Sequence, residues 1–564
     1  MTRPKHQIRR LSFILATCLG LGALALSGLG ISGQDFNGQG LSNLGFGDQG
    51  FGGQEHNQQR GQAAELTVLT YHDIVADPGE DAYSVSRSTF VAQLDYLQRH
   101  GYQPVTLSLL DKVMQKQASL PNKAILLSFD DGLESYYQFV APLLEIYHYP
   151  SVLSVVTGWV DGKNIPPEYN GKLIQWQQLR ELSQSPLIEI ISHSHDLHHG
   201  VQSNPQGNKA AAGVTRLYSP STAQYETEKE FRQRIAMDLK HSVSRLKQEL
   251  NITPVGVTWP YGHYDNVLAA EAEQLGLRFQ LNLNDGPTDV TQLPGLKRVM
   301  IMNNSTPQSF INELNYTHLH NEQQRFVEVY LDKFAGQSPA AQEALLSSLL
   351  DNLKQLKVNT VVVHPFSRDT KQAFFFNNQM EMAADVLNRV THQIQTRLNI
   401  RHVYLSLPAN LPGKLSAKNL QTLYTDLSRL NRFNGIVFNQ HTPQQIETIK
   451  QVTRYFRPNI KFGHYGNSDQ PSEFDFTIIP VEASLNREEF RKKILNAKGL
   501  PTRLLFYVRG NSQSVKSLPG IVETLRALGV QHYGIALSND FNGLYQNAIN
   551  TNKLADGTLA VFGG

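Results

Sequence analysis

Cysteine is almost absent from this chain, which has a single one, Cys18, among its 564 residues. One thiol cannot form an intrachain disulfide, and it cannot provide the clustered sulfur ligands of a cysteine-based zinc site. Any metal site in the chain therefore has to use other side chains.

An excess of charge of either sign is also lacking, because 51 Lys and Arg residues balance 49 Asp and Glu residues. Proteins that bind nucleic acid usually carry a basic excess or patch, so this balance argues against nucleic acid as a partner. The hydrophobic fraction of 40% is ordinary for globular protein. At this length we expect two or three domains.

The first 30 residues have the pattern of a signal peptide or an N-terminal anchor. Basic residues from Arg3 to Arg10 precede an apolar stretch from Leu11 to Leu29. Cleavage after Ala25-Leu-Ser27, retention as a membrane anchor, and lipidation at Cys18 are the three alternatives. Each predicts an exported protein that is periplasmic, membrane-associated through its N-terminus, or secreted where the host has no outer membrane.

Residues 31–64 are rich in Gly, Gln and Asn and poor in apolar side chains. Such a composition does not support a packed core, so it predicts a flexible linker.

Two series of alternating strand and helix patterns follow, and they predict an α/β protein with two β/α barrel-like domains. We expect the first at 65–308 and the second at 335–564, with no strand pattern between 308 and 335. The polar stretch 200–226 is expected to form an excursion over the functional site.

Two groups of chemically capable side chains follow apolar runs in the first domain. Asp130 and Asp131 end the run Ala124–Phe129, and His193 and His198 follow a second run that ends at Ile191. Ligands in α/β folds gather beyond the carboxyl ends of strands. Asp131, His193 and His198 would form a three-ligand metal site with an open position, which is typical of metal-dependent hydrolases.

The neighbouring carboxylate, Asp130, would point differently in an extended backbone, which suits a general base rather than a fourth ligand. Alone, an Asp-Asp-Gly sequence is more often a turn, and a histidine-rich loop is more often a solvated surface. Their joint occurrence at strand ends favours catalysis. His195 and His199 are expected to stay outside the site, while Asp196 remains open as a loop cap or a partner of a ligand imidazole.

Several motifs resemble the polysaccharide deacetylases of carbohydrate esterase family 4. They are Ser128-Phe-Asp-Asp-Gly132, the His193 to His198 group and Trp259-Pro-Tyr-Gly262. A further motif, Tyr71-His-Asp-Ile74, resembles that of one branch, the poly-β-1,6-N-acetyl-D-glucosamine N-deacetylases of biofilm export. The resemblance covers about residues 66–305. It implies a distorted, NodB-like barrel and hydrolysis of N-acetyl groups on an N-acetylglucosamine polymer.

The resemblance also implies roles for individual residues. Asp130 corresponds to the general base, Asp131, His193 and His198 to the ligands of a divalent metal (zinc, or nickel, cobalt or iron), and the backbone of Tyr261 to an oxyanion contact. His72 is expected to be the general acid, since no Leu-x-His motif occurs near the domain end. An outer-membrane export porin is the implied protein partner.

One departure concerns the arginine that many members have in the third motif, where Thr258 and Trp259 stand here. We therefore expect no arginine to orient the base. Trp176 and Trp259 are expected in the core rather than stacked on sugar rings.

The second half resembles the glycoside-hydrolase-like barrel of the longer family members. Glycoside hydrolysis normally needs two carboxylates, but Asn439 and Gln440 occupy the positions after Gly435-Ile-Val-Phe where acidic residues are expected. We predict a domain that binds polymer or is structural and lacks glycosidase activity. Asp475, Glu482 and Asp540 leave a rearranged acid pair open. Two alternatives for the whole chain are a deacetylase of peptidoglycan or chitin, and a polysaccharide-binding scaffold whose activity has decayed.

Overall fold

The protein is represented by a computed structural model. The structure describes residues 65–284, 286–293, 295–317, 324–356, 358–409, 411, 415–466, 474–482, 488–489, 491–493, 503–510, 523–525, 527–530 and 532–537. The predicted signal segment and linker at 1–64 lie outside these residues. No helix in the described part combines the length and apolar character needed to cross a membrane.

The first half of the described chain is built around one curved, largely parallel sheet. Its strands and the short strands of the surrounding loops are β1 Glu65–Tyr71, β2 Asp73–Val75, β3 Ser84–Ser86, β4 Gln103–Pro104, β5 Ala124–Phe129, β6 Ser151–Val155, β7 Ile188–Ser192, β8 Gly200–Gln202, β9 Lys209–Ala211, β10 Tyr218–Ser219, β11 Gln224–Tyr225, β12 Gly256–Thr258, β13 Phe279–Asn282, β14 Thr288–Asp289, β15 Gly295–Lys297 and β16 Val299–Met300. The sheet order is β14-β1-β5-β6-β7-β12-β13-β15, with β16 on β1 and β4 on β5. It forms a distorted, nearly closed barrel.

Helices cover the outside of this sheet. They are α1 Arg87–Arg99, α2 Leu107–Met114, α3 Ala141–Tyr147, α4 Thr157–Val160, α5 Trp176–Leu182, α6 Glu228–Leu250, α7 Asn266–Gln274 and α8 Pro307–Leu314. Strands of a parallel sheet that is covered on both faces are buried on both sides, so they are rich in apolar residues. All six residues of β5 are buried accordingly.

The long helix α6 begins and ends where its sequence dictates. Thr227 and Glu230 form a capping box, in which each side chain bonds the other residue's backbone N–H. Asn251 ends the helix in a left-handed conformation with φ 55°, which asparagine tolerates well. Its buried face, which includes Phe231 and Leu239, packs beside β12 in the core.

The second half is a closed parallel barrel. Its strands, with one short additional pair, are β17 Arg325–Tyr330, β18 Thr360–His364, β19 Gln372–Ala373, β20 Glu381–Met382, β21 His402–Pro408, β22 Gly435–Asn439, β23 Lys461–Tyr465, β24 Phe476–Glu482, β25 Arg503–Gly510 and β26 Tyr533–Leu537. Helices α9 Pro339–Leu356, α10 Leu387–Arg397, α11 Ala417–Leu430 and α12 Pro443–Phe456 lie outside it. The order β17-β18-β21-β22-β23-β24-β25-β26 closes through β26 and β17. The predicted fold class, two β/α barrel-like domains in series, is confirmed.

One local expectation is corrected. The first barrel strand, β17, lies within the interval 308–335 where no strand was expected. The polar stretch 200–226 forms hydrogen bonds within its own domain, such as that of Arg216 to Asp265, and also to the second barrel. Asn204 donates to Asn388 at 3.0 Å, and the Tyr225 hydroxyl donates to Asp385 at 2.9 Å.

Candidate functional site

The parallel register brings the predicted site residues to one edge of the first barrel. Tyr71 pairs with Phe129, so the residues that follow, His72 and Asp130, leave neighbouring strands side by side. Ser192 pairs with Val155 and with Val257, which places the histidine loop between these strands and the Trp259–Gly262 segment. The carboxyl ends of parallel strands meet at the same edge, so the sheet itself assembles the site.

Asp131, His193 and His198 come together at this edge as a group that could hold a metal ion. One possible ligand atom from each lies within 4.8 Å of the others. Oδ1 of Asp131 is 3.4 Å from Nε2 of each histidine. Asp131 and His193 are buried, and the side chain of His198 is only 13% exposed.

The protonation of these three side chains fits a divalent cation. Nδ1 of His193 donates to the carbonyl oxygen of Thr258 at 2.7 Å, so the lone pair of Nε2 faces the centre of the group. Burial lowers the pKa of His198 to about 4, which favours the neutral, ligating imidazole. Oδ2 of Asp131 accepts from the Tyr169 hydroxyl at 3.0 Å, whereas the buried Oδ1 has no hydrogen-bond partner. A cation bound between the three residues would satisfy that oxygen.

The loop after β7 is held in place by several hydrogen bonds. The Oγ of Ser194 accepts from the Leu197 N–H at 3.2 Å. The carboxylate of Asp238, on α6, accepts from the N–H groups of His195 at 2.9 Å and Asp196 at 2.7 Å. These contacts fix the peptide segment between the two ligand histidines.

Asp130 contacts an arginine, and the expectation that none is placed to do so is wrong. Nη1 of the buried Arg298 lies 2.8 Å from Oδ1 of Asp130, and it also donates to Thr70 at 2.8 Å and to Ser128 at 3.2 Å. Burial by itself raises the pKa of Asp130, but the charge of Arg298 and the nearby histidines outweigh it and hold that pKa below its usual range. Asp130 is therefore ionised at neutral pH, as a general base has to be.

His72 and Tyr261 complete the predicted set. His72 is partly buried, its ring centroid is 5.2 Å from that of Tyr83, and its Nδ1 is buried without a hydrogen-bond partner. Tyr261 has a left-handed backbone with φ 58°, and its ring lies 4.5 Å from the ring of His198. Among the described residues none accepts a hydrogen bond from the Tyr261 N–H. That N–H is thus available to a ligand beside the metal group.

The remaining histidines of the loop lie outside the group. His195 stacks on His241 with ring centroids 4.0 Å apart, and the side chain of His199 is 45% exposed. The carboxylate of Asp196, which is partly exposed, accepts from Asn164 at 2.9 and 3.0 Å rather than from a ligand imidazole. Trp259 is fully buried in the core, as expected.

Sequence reasoning missed four residues of the site. Arg298, Tyr169, Trp159 and Asp238 all reach it from other elements, and Trp159 packs its ring 4.9 Å from that of His198. The sequence signal for Arg298 is the basic pair Lys297-Arg298, which is followed by the apolar residues Val299 to Met302.

At the carboxyl end of β22 in the second barrel, two amide side chains occupy the positions where acidic residues were expected. Asn439 ends β22 and Gln440 follows it, and both side chains are exposed. A buried carboxylate that the sequence did not indicate, Glu328 on β17, accepts hydrogen bonds from Tyr465 and from Tyr330, the latter at 3.1 Å.

Of the three acids that left a rearranged pair open, only Asp475 has a side chain in the described part of the chain. Asp475 precedes β24, at the amino end of that strand, where it accepts from the Phe462 N–H at 2.7 Å. The side chain of Glu482 and the whole of Asp540 lie outside the described residues.

Comparison with known families assigns both domains. Residues 117–280 match the family described as polysaccharide deacetylase, and residues 328–411 match one described as hypothetical glycosyl hydrolase family 13. The chain therefore carries a polysaccharide deacetylase domain followed by a glycosyl-hydrolase-like domain, and the predicted resemblance is confirmed.

Comparison with individual proteins gives the following similarities to this chain. A protein of Escherichia coli strain K12 named poly-beta-1,6-N-acetyl-D-glucosamine N-deacetylase is 29% identical over 358 residues, which are 61% of this chain and 53% of that protein. A protein of the same name from Staphylococcus aureus strain MSSA476 is 25% identical over 36% of this chain and 62% of its own length. The chain thus spans about half to three-fifths of these relatives. A solved de-N-acetylase from Aggregatibacter actinomycetemcomitans is 30% identical, with a TM-score of 0.41, over 44% of this chain and 100% of its own.

Proposed function

We propose that the first domain is a metal-dependent N-deacetylase that removes acetyl groups from poly-β-1,6-N-acetyl-D-glucosamine. The observation that carries this proposal is the group of Asp131, His193 and His198, in which a buried carboxylate oxygen lacks a partner beside two imidazoles. The names of the relatives supply the substrate. Hydrolysis would convert each acetamide and one water into acetate and an amine, so a neutral polymer would become cationic.

The roles of the surrounding residues follow from their positions. A divalent metal bound to Asp131, His193 and His198 would supply Lewis acidity towards the attacking water and the amide carbonyl. Asp130, kept ionised by Arg298, would take a proton from that water. The Tyr261 N–H would donate to the oxyanion.

A proton also has to reach the leaving nitrogen, because an amine departs far more readily than an amide anion. His72 is the candidate for this step, since it follows β1 next to the strand that carries Asp130. Its Nδ1, buried and without a partner, leaves the ring free of competing hydrogen bonds at that atom.

The test is release of acetate from defined β-1,6-linked and β-1,4-linked oligomers of N-acetylglucosamine, with bound metal measured on the same protein. Asp131→Ala and His193→Ala should lose acetate release and metal together. His199→Ala changes an exposed histidine of the same loop and should retain both.

Persistence of acetate release after complete removal of metal would refute the metal-dependent mechanism. Faster release from the β-1,4-linked oligomers would transfer the activity to another N-acetylated glycan. Bound metal without acetate release from either series would favour a scaffold whose activity has decayed.

For the rest of the chain we propose a second domain that starts before β17 and binds polymer without cleaving it. The basic and apolar N-terminal pattern supports export, with the chain either cleaved or retained at a membrane through residues 1–30. Fractionation of cells that produce the full chain, with and without those residues, distinguishes these forms. Co-purification from the same fractions tests the proposed association with an export porin.

A further inference from the structure

A partly open cavity of about 250 Å³ lies in the seam between the two barrels. Its wall carries an unusual number of cationic side chains. One arginine comes from the first domain and three come from the second: Arg216, Arg429, Arg432 and Arg457.

Two of these arginines are neutralised by carboxylates. Arg216 is 2.7 Å from Glu228 and 3.0 Å from Asp265, and all of its side chain except 1% is buried. Arg429 is 2.7 Å from Asp426. These pairs are complete within the protein and need no ligand.

The other two arginines, Arg432 and Arg457, form no ion pair with a carboxylate of the residues that the structure describes. Arg457 donates through Nε to the carbonyl oxygen of Ser428 at 3.1 Å and also donates to the Asn431 carbonyl, while its guanidinium lies 4.7 Å from the Phe433 ring centroid. These acceptors are neutral. Arg432 forms no hydrogen bond or ion pair with any residue that the structure describes.

Two guanidinium groups that line one partly open cavity repel each other, and both are half-buried. Burial, followed by the charge of Arg432, lowers the pKa of Arg457 to about 9. Burial also lowers the pKa of Arg432. Because a guanidinium stays protonated in proteins, its charge has to be compensated by an anion rather than lost as a proton.

The opposite wall offers a neutral donor. The hydroxyl of Tyr264 accepts from Asn284 of the first domain at 3.4 Å and from Asn459 of the second at 3.3 Å. With its oxygen engaged by two amide donors, its own proton is free to be donated. A cavity with two unpaired forked cations and a hydroxyl donor matches a small oxygen-bearing anion.

We propose that this interdomain cavity binds a small oxyanion, a phosphate, a sulfate or a carboxylate, between Arg432 and Arg457. The bound anion bridges the domains, because the two arginines belong to the second barrel and the facing Gly262–Tyr264 wall belongs to the first. That wall continues directly from Tyr261, so occupancy of the cavity also restrains the segment that borders the metal group.

In the experiment, potassium phosphate, sulfate or acetate is titrated into the full chain in a chloride buffer of constant ionic strength. Calorimetry measures the heat of binding. We expect saturable binding to one site. The substitution Arg432→Gln removes the guanidinium group and should weaken the affinity for the anion by about tenfold or more. Preference for phosphate and sulfate identifies a tetrahedral anion, and preference for acetate identifies a carboxylate.

Arg401→Gln is the matched control, because Arg401 is an exposed arginine of the same domain and does not line the cavity.

Thermal unfolding of the same proteins gives a second measurement. The oxyanion should raise the unfolding temperature of the unchanged chain and of Arg401→Gln, but not that of Arg432→Gln. In chloride alone, Arg432→Gln should be at least as stable as the unchanged chain, because it removes an uncompensated buried charge. Equal binding by Arg432→Gln and the unchanged chain, or no saturable binding by the unchanged chain, overturns the proposal.

Discussion

At the scale of single residues, the pairing of Asp130 with Arg298 distinguishes the two carboxylates of the Asp-Asp motif. Both carboxylates are buried, but they face different partners. Asp131 faces imidazoles and the Tyr169 hydroxyl, whereas Asp130 faces a guanidinium at 2.8 Å. Adjacent residues thus acquire distinct chemistry from their surroundings, as the alternating directions of an extended backbone allow.

This contact predicts a change in the pH dependence of acetate release. Arg298→Gln removes the charge that lowers the pKa of Asp130, so the base would be protonated over a wider acidic range. The acidic limb of the kcat/KM profile should therefore move to higher pH, and the rate at neutral pH should fall by about a hundredfold. Arg298→Lys, which keeps the charge, should recover part of the loss.

The control is Arg278→Gln, which changes a half-exposed arginine of the same domain that pairs with Asp111. Its profile should match that of the unchanged chain. An acidic limb that stays in place in Arg298→Gln would show that Asp130 is not the titrating base.

The sequence predicted the Asp130 to His198 motifs but not this arginine, for a physical reason. Each motif is local, because the end of one strand delivers it. Arg298 lies 168 residues after Asp130, and only the curvature of the sheet, which returns β16 to β1, brings the two together. No local pattern encodes that closure.

At the scale of elements, the histidine loop depends on helix α6. Asp238 accepts two backbone N–H groups from the segment between His193 and His198, so the helix holds the loop at the spacing that a metal needs. Supporting contacts of this kind typically change metal affinity by about 10- to 100-fold when removed.

We therefore expect Asp238→Ala to bind zinc about 10- to 100-fold more weakly, although all three proposed ligands remain. Competition against a fluorescent chelator measures this directly. Asp196→Ala is the matched control in the same loop, since the Asp196 side chain is partly exposed and bonds Asn164 instead of holding the loop backbone. Equal zinc affinity in the two variants would show that the loop keeps its geometry without α6.

The first strand of the second barrel, β17, was not predicted from the sequence pattern. In β17, Arg325 and Glu328 stand among apolar residues, and Glu328 accepts a hydrogen bond from Tyr465. These two charged residues interrupt the apolar run that marked the other strands. The bonds between the 200–226 stretch and the second barrel were not predicted for a related reason, because its polar side chains could bond any surface and only the folded chain brings Asp385 and Asn388 to them.

At the scale of the whole molecule, two barrels of similar construction differ in what their strand ends carry. The first presents a carboxylate, two imidazoles and an ionised base at the ends of β5 and β7. The second presents amides after β22, and its buried Glu328 is engaged by hydroxyl groups and by His364 at 3.3 Å. Retaining and inverting glycosidases both use two carboxyl groups, and among the described residues Asn439 and Gln440 stand where such acids were expected, so we propose that the second barrel does not cleave a sugar chain.

This difference predicts that the full chain deacetylates its polymer without shortening it. After incubation with long poly-β-1,6-N-acetyl-D-glucosamine, the acetate released should rise with time while the chain-length distribution, followed by size-exclusion chromatography or mass spectrometry, stays constant. Partly deacetylated polymer should stay intact as well, because an amide cannot replace either the nucleophile or the acid at Asn439 and Gln440. Asp131→Ala serves as the control, since it should stop acetate release and leave length unchanged. Short oligomers that appear in both proteins would place a glycosidase in the second barrel and require acids other than those expected after β22.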